Sequence, residues 1–453
     1  MTRLFALSAL IPALMTSTAL AADVLAEPVV VEDVPIYALT GSFGLGGFWM
    51  PEFDDGLFAG GTDDPLFGGI ATVSGSVTTG TYNDWDIILG FNLIGGFASD
   101  DSSSSQSFGG QGTVFISGLS TPGGESSITL NTANDLTADV TISPPPPGDP
   151  VPGENDSKVD ISGGTTSGAA VALAEDGSGF VIGVATVDGG RTAFGAIADV
   201  TGGIAVITGN LDGLEITTNT SRDLFYTGAD LTIGLGNASY GGAAVSVYTG
   251  PSYRGLFQDT DTDVTIDLAE VGEGLTLPDF TISSEEDLDS HYFGGILGGT
   301  ASWGIGTGMI FSIGLEGGVY GVSASWRGHD TYSTGGGVFD DPNTEDVEPI
   351  TQLPVTVEGA DLDLDDIDDG TIAFAARGNA AITWAVSENQ AISLGGSLEY
   401  LSQVATVTHD RVSDPAYDNG ASWTPGDPPT GAPSVSWGSM VNFAITASWT
   451  GTF

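Results

Sequence analysis

Residues 441–453 read VNFAITASWTGTF, and their chemical character alternates at every step. Phe453, Gly451, Trp449, Ala447, Ile445, Phe443 and Val441 form a small, apolar and aromatic set. Thr452, Thr450, Ser448, Thr446, Ala444 and Asn442 form a small polar one. A period of two places the sets on opposite faces of one extended strand. About 9–11 tilted residues are enough for a strand to cross a bilayer. A strand this long, with one face fit for hydrocarbon and the other for water, belongs to few folds.

The pattern recurs. In 36–49, Tyr37, Leu39, Gly41, Phe43 and Leu45 share a face, and Trp85, Ile87, Leu89, Phe91 and Leu93 do so after the Asn83-Asp84 turn. Further strands are predicted over 225–235, 243–257, 292–305, 309–326, 372–386 and 391–407. Short turns at 236–239, 306–308 and 387–389 alternate with long acidic or proline-rich loops. The segment 100–221 is irregular, with four successive prolines at 144–147 that cannot lie in a central strand. Its pieces at 169–173, 180–187 and 192–200 either add two crossings or form a β-rich extracellular insertion.

On these residues the chain resembles a bacterial outer-membrane β-barrel of porin-like type. The terminal Phe453, with Phe443, Ile445 and Trp449 in phase, resembles the signal read by the barrel-assembly machinery. The expected fold is all-β, a transmembrane antiparallel up-and-down barrel of about twelve strands, with ten as the alternative. Short periplasmic turns and long acidic extracellular loops go with it.

The N-terminus agrees with export. Met1-Thr2-Arg3, an apolar run from Leu4 to Leu14 and Ala19-Leu20-Ala21 fit a signal peptide over 1–21. Residues 22–35 then form a periplasmic lead-in, and 36–453 the barrel, in the bacterial outer membrane. With 59 acidic residues against 8 basic ones, nucleic acid is excluded as a partner. The absence of cysteine excludes disulfides, thiolate metal sites and a lipid-bearing cysteine. Lipid, the assembly machinery and small solutes remain as partners.

Three residue groups are candidates for function. Asp230, Arg254, Glu316, Arg377 and Glu399 fall on polar faces at mid-strand, and parity through the 387–389 turn sets Arg377 nearly opposite Glu399. Such a lumen network either holds the barrel together or filters ions. Asp361, Asp363, Asp365 and Asp366 supply hard oxygen ligands that suit calcium, against a solvated, self-repelling loop as the plainer reading. No other cofactor is implied. His291, His329 and His409 fall near the extracellular strand ends, where a rim hydrolase would place a histidine beside Ser or Asp. The adjacent pairs His329-Asp330 and His409-Asp410 point to opposite faces of a strand, and no His-x-Ser element occurs, so no enzymatic activity is expected. The expected function is passive diffusion of small solutes through a polar lumen; a structural or surface-interaction barrel is the alternative.

Overall fold

The computed structural model describes residues 38–50, 66–83, 85–133, 136–142, 157–162, 168–173, 178–187, 190–240, 242–267, 279–335, 337–340, 349–352, 355–364 and 371–452. The expected signal peptide, the lead-in, Phe453, Asp365, Asp366 and the four-proline run lie outside them. Among the described residues no helix is long and apolar enough to cross a membrane.

Ten strands form the ring: β1 Ala38–Met50, β2 Leu66–Tyr82, β3 Trp85–Ser107, β4 Glu215–Tyr240, β5 Ala243–Asp267, β6 Phe280–Gly306, β7 Met309–Thr334, β8 Ile372–Ser387, β9 Gln390–His409 and β10 Pro433–Thr452. Each pairs antiparallel with its neighbours, and β1 closes on β10 with Phe43 opposite Ala447. Closure pairs every strand edge, which is what allows a sheet to stand in hydrocarbon. The ring has ten members rather than twelve. Of the three pieces that offered either two further crossings or a β-rich insertion, Gly179–Thr186 and Thr192–Asp199 are buried along their whole length on both faces. That is the mark of a central layer, since a membrane strand keeps one face outward.

Outward positions carry the apolar set. Leu45, Leu231, Leu297, Leu315, Phe374, Phe443 and Ile445 are all more than half exposed. Aromatic rows bound this belt: Phe97, Phe225 and Phe257 are in register at one rim, Trp384 and Trp449 flank Ile392 at the other, and Trp303 stacks on Phe311. An apolar band with an aromatic girdle at each edge is the outer surface of a transmembrane barrel. Phe443, Ile445 and Trp449 all lie on it.

Inward glycines answer inward bulk. A Cβ on Gly68 would collide with the Phe48 ring, and one on Gly228 would meet Arg254 Cδ at 2.9 Å. Large lumen side chains lie flat along the wall where the adjacent strand has no side chain.

Strands β3–β7 continue well beyond the belt. Asp259, Asp261 and Asp263, expected in a loop, lie on β5 opposite Asp287, Glu285 and Ser283 of β6. The alternation persists there with polar residues outward, because that surface meets water rather than lipid. A two-sheet cap fills the space behind this wall. Its six-stranded sheet takes in 111–117, 168–173, 179–186, 192–199 and 202–210, and its four-stranded sheet 127–131, 137–142 and 157–162. The β9–β10 connection adds Val412–Ser413 to one sheet and Gly420–Trp423 to the other. The apolar core of the cap runs directly into Ile216, Val264, Ile266, Phe280 and Ile282 of the strand extensions.

Candidate functional site

From the short-turn end toward the cap, the lumen is stacked in layers. The first is a cavity of about 180 Å³ lined by hydroxyls, among them Ser42, Ser74, Ser76, Thr232, Ser246, Thr300, Ser312, Ser393, Thr446 and Ser448.

The charged layer roofs it. All five residues proposed as a lumen network meet here. Glu316, Arg377, Glu399 and Asn442 occupy one row of directly paired positions across β7–β10. Arg254 reaches across from β5: its Nη1 donates to Asp230 Oδ1 at 2.6 Å and its Nε to Glu399 Oε1 at 3.2 Å. Nη2 donates to Asp230 Oδ2 and Glu399 Oε2, both at 3.3 Å. Arg377 donates from Nη1 to Asp230 Oδ2 and pairs with Glu316 Oε1, both at 3.4 Å, and from Nη2 to Glu399 Oε2. Polar neighbours complete the shell. Asn92 donates to Asp230 at 2.9 Å, Ser252 donates to its other oxygen at 2.5 Å, and Tyr226 donates to Glu399 at 3.0 Å. Arg254 has no exposed surface, and Glu399 only 4%. Charges this deep are tolerable only with multiple charged partners.

The third layer is apolar. Phe48, Ile70, Ile94, Tyr226, Leu256, Tyr292, Tyr320, Ala373, Leu401 and Met440 belong to one buried cluster, one residue from each of the ten strands, with Met50 and Val404 among its other members. A β-bulge on β9 shapes it. Gln403 has φ +55°, and its carbonyl turns inward to accept a hydrogen bond from Tyr292 Oη at 3.0 Å. The sequence reading placed no such layer, although parity carried the signal: Phe48 shares the inward phase of Thr40 and Ser42.

A second polar layer joins ring to cap. Glu286 accepts from Arg411 Nη2 at 2.5 Å and from Trp326 Nε1 at 3.0 Å, and pairs with His409 Nε2 at 2.6 Å. Burial pushes the Glu286 carboxyl up, but Arg411, His409 and Trp326 outweigh it and hold the group down at about 2. Asp330 accepts the Leu119 backbone N–H of the cap at 2.6 Å, Ser284 Oγ at 2.5 Å and Tyr332 Oη at 2.6 Å.

The other candidates are dispersed. Asp361 faces His329 Nδ1 at 3.0 Å, and Asp363 pairs with Arg327 at 3.6 Å, so each described member of the aspartate set has its own side-chain partner. Among the described residues no group of three or more His, Asp or Glu could hold a metal ion. His291 contacts Tyr253 Oη at 2.9 Å on the outer face, and His409 lies buried against Glu286.

No family model matches the sequence, and no match to a curated protein is found. Among solved structures, the chain is similar to the outer membrane protease OmpT from Escherichia coli at 12% identity and a TM-score of 0.23, over 94% of this chain and 99% of that one. A Pseudomonas aeruginosa FadL homologue follows at 8% identity and a TM-score of 0.20, over 92% and 90%. OmpT, an outer membrane protein of Vibrio cholerae, stands at 8% identity and a TM-score of 0.14, over 91% and 97%. None of these superposes closely enough to place a site in this chain, so the barrel is assigned on its own pairing and its own apolar belt.

Proposed function

We infer that this chain is an integral barrel of the bacterial outer membrane with a sealed lumen, and that it serves to hold its two-sheet cap outside the cell. The short turns, with Ala38 and Thr452 at the same end of the ring, then face the periplasm, and the barrel-assembly machinery and surrounding lipid are its partners. One observation carries this reading: the apolar layer receives a residue from every strand of the ring and is almost fully buried. An ion crossing it would lose its hydration without gaining a partner, at a cost of several kcal/mol. Of the two roles weighed for the charged network, the structural one fits a sealed barrel. The three histidines lie apart from one another, each bound to a tyrosine or to carboxylates.

Planar-bilayer recording tests the seal. The folded protein is expected to give no unitary current steps in potassium chloride, whereas the triple variant Phe48→Ala, Met50→Ala, Met440→Ala gives them. Regular steps from the unaltered protein would refute the seal and restore passive, porin-like diffusion. The cavity of about 180 Å³ favours a second reading, in which the apolar layer is a gate that opens on a solute. Steps appearing only with solute present would select it.

A further inference from the structure

The lumen cavity has a one-sided hydrogen-bonding character. Every guanidinium nitrogen of Arg254 already donates, to Asp230, Glu399, Ser252 Oγ or the Tyr253 carbonyl. Both terminal nitrogens of Arg377 are committed to carboxylates. An anion entering the cavity would have to displace one of these pairs.

Acceptors, by contrast, are in surplus. The roof sets three carboxylates against two guanidiniums. Asp230 and Glu399 each meet both arginines, while Glu316 meets one arginine, Arg377, at 3.4 Å, with the Tyr248 hydroxyl as its other donor. Asn442 lines the same cavity with 4% of its surface exposed, and its Oδ1 has no hydrogen-bond partner. A buried acceptor left unpaired costs about 1–3 kcal/mol, which a donor in the cavity would recover. The wall between is hydroxylic and adapts to donor or acceptor. Among the described residues, no apolar cluster closes the lumen on the short-turn side.

We propose that this chamber binds a small organic cation, a protonated amine with its charge at Glu316 and a further donor on Asn442 Oδ1. Charge-assisted contacts to the under-compensated carboxylate supply affinity, and the hydroxyl wall accepts the rest of the molecule. Entry is from the short-turn end, so the site needs no passage through the apolar layer and does not depend on whether that layer seals.

Titration calorimetry on the folded full-length protein in detergent, at pH 7 and fixed ionic strength, tests this with ethanolammonium, acetate and ethylene glycol. Saturable binding of ethanolammonium alone is expected, weakened at least tenfold by Glu316→Gln and at least threefold by Asn442→Leu. Absence of binding, equal binding of acetate or ethylene glycol, or displacement by equimolar potassium overturns it. So does full affinity in Glu316→Gln. Should Glu316→Gln not fold, Ser448→Leu fills the cavity from β10, and unchanged affinity there overturns it equally.

Discussion

Tyr226 and Glu399 stand on β4 and β9, five strands apart whichever way the ring is followed, yet Tyr226 Oη donates to Glu399 Oε1 at 3.0 Å. A hydrogen bond between diametrically opposed strands means that side chains bridge the barrel at this level. The phenol also joins two layers, since its ring belongs to the apolar cluster and its hydroxyl to the charged one.

The two ends of that bond should differ in cost. Glu399→Gln leaves Arg254, which has no exposed surface, without one of its two charged partners. A loss of about 3–5 kcal/mol is expected from such an uncompensated buried charge. Tyr226→Phe leaves both ion pairs of Glu399 in place and removes a single neutral donor, for about 1 kcal/mol. Urea unfolding into lipid vesicles, followed by tryptophan fluorescence, measures both. A Tyr226→Phe loss equal to that of Glu399→Gln would contradict a network held by charge.

Phe48 and Gly68 should be coupled. The Phe48 ring occupies the space of a missing Cβ at Gly68, so Gly68→Val is expected to cost about 1–3 kcal/mol through overpacking. In a Phe48→Ala background the same substitution should cost little, because the ring it strikes is gone. Additive effects in that double-mutant cycle would mean the ring does not lie against β2.

Part of this was legible in the sequence and part was not, for physical reasons. Parity fixed which residues face inward, and turn position fixed Arg377 opposite Glu399, because both are short-range consequences of a two-residue period. That Asp230 and Arg254 would join them depended on the ring's diameter, hence on counting strands correctly. The count was obscured by Gly179–Thr186 and Thr192–Asp199, whose apolar runs could equally have been crossings. The acidic stretches around Asp259–Asp263 and Glu285–Asp289 read as loops because they lack the apolar outer face that marks a strand in a membrane. Above the belt the outer face is polar, and the same alternation marks a strand in water.

Asp330 clasps the cap to the ring through the Leu119 N–H, and Ser284 and Tyr332 donate to the same carboxylate. Asp330→Asn keeps the volume but removes the negative charge and presents a donor to donors. About 1.5–3 kcal/mol of cap attachment should be lost, as for hydrogen bonds to a charged group. Limited proteolysis is expected to cleave residues 108–214 faster while heat-modifiable gel migration, a property of the ring, stays unchanged. Loss of both together would show that cap and ring unfold as one unit.

Segment 355–364 should be held most firmly in mildly acidic solution. His329 donates from Nε2 to Glu358 at 2.9 Å and from Nδ1 to Asp361 at 3.0 Å when protonated, and Val355–Glu358 pairs with β7 beside it. The hydrogen bond to Glu358 raises the His329 pKa above 6.5, with Asp361 adding to it against a smaller effect of burial. A raised folded-state value means a contribution fully present below about 6.5 and lost as pH rises through the folded pKa. Glu358 is lowered below 4.5 by its bonds from His329 and Thr331, so its contribution is present above 4.5 and lost as pH falls through its folded pKa. The two windows overlap between about 4.5 and 6.5. Arg327, facing Asp363 at 3.6 Å, and Glu285 and Asp287, directly opposite His329 and Arg327 on β6, are further charges at this edge. Hydrogen exchange at Val355–Glu358, corrected for intrinsic rates, should be slowest inside that window and speed up toward pH 8.5. His329→Gln should abolish the alkaline acceleration; its persistence in that variant would move the effect to another group.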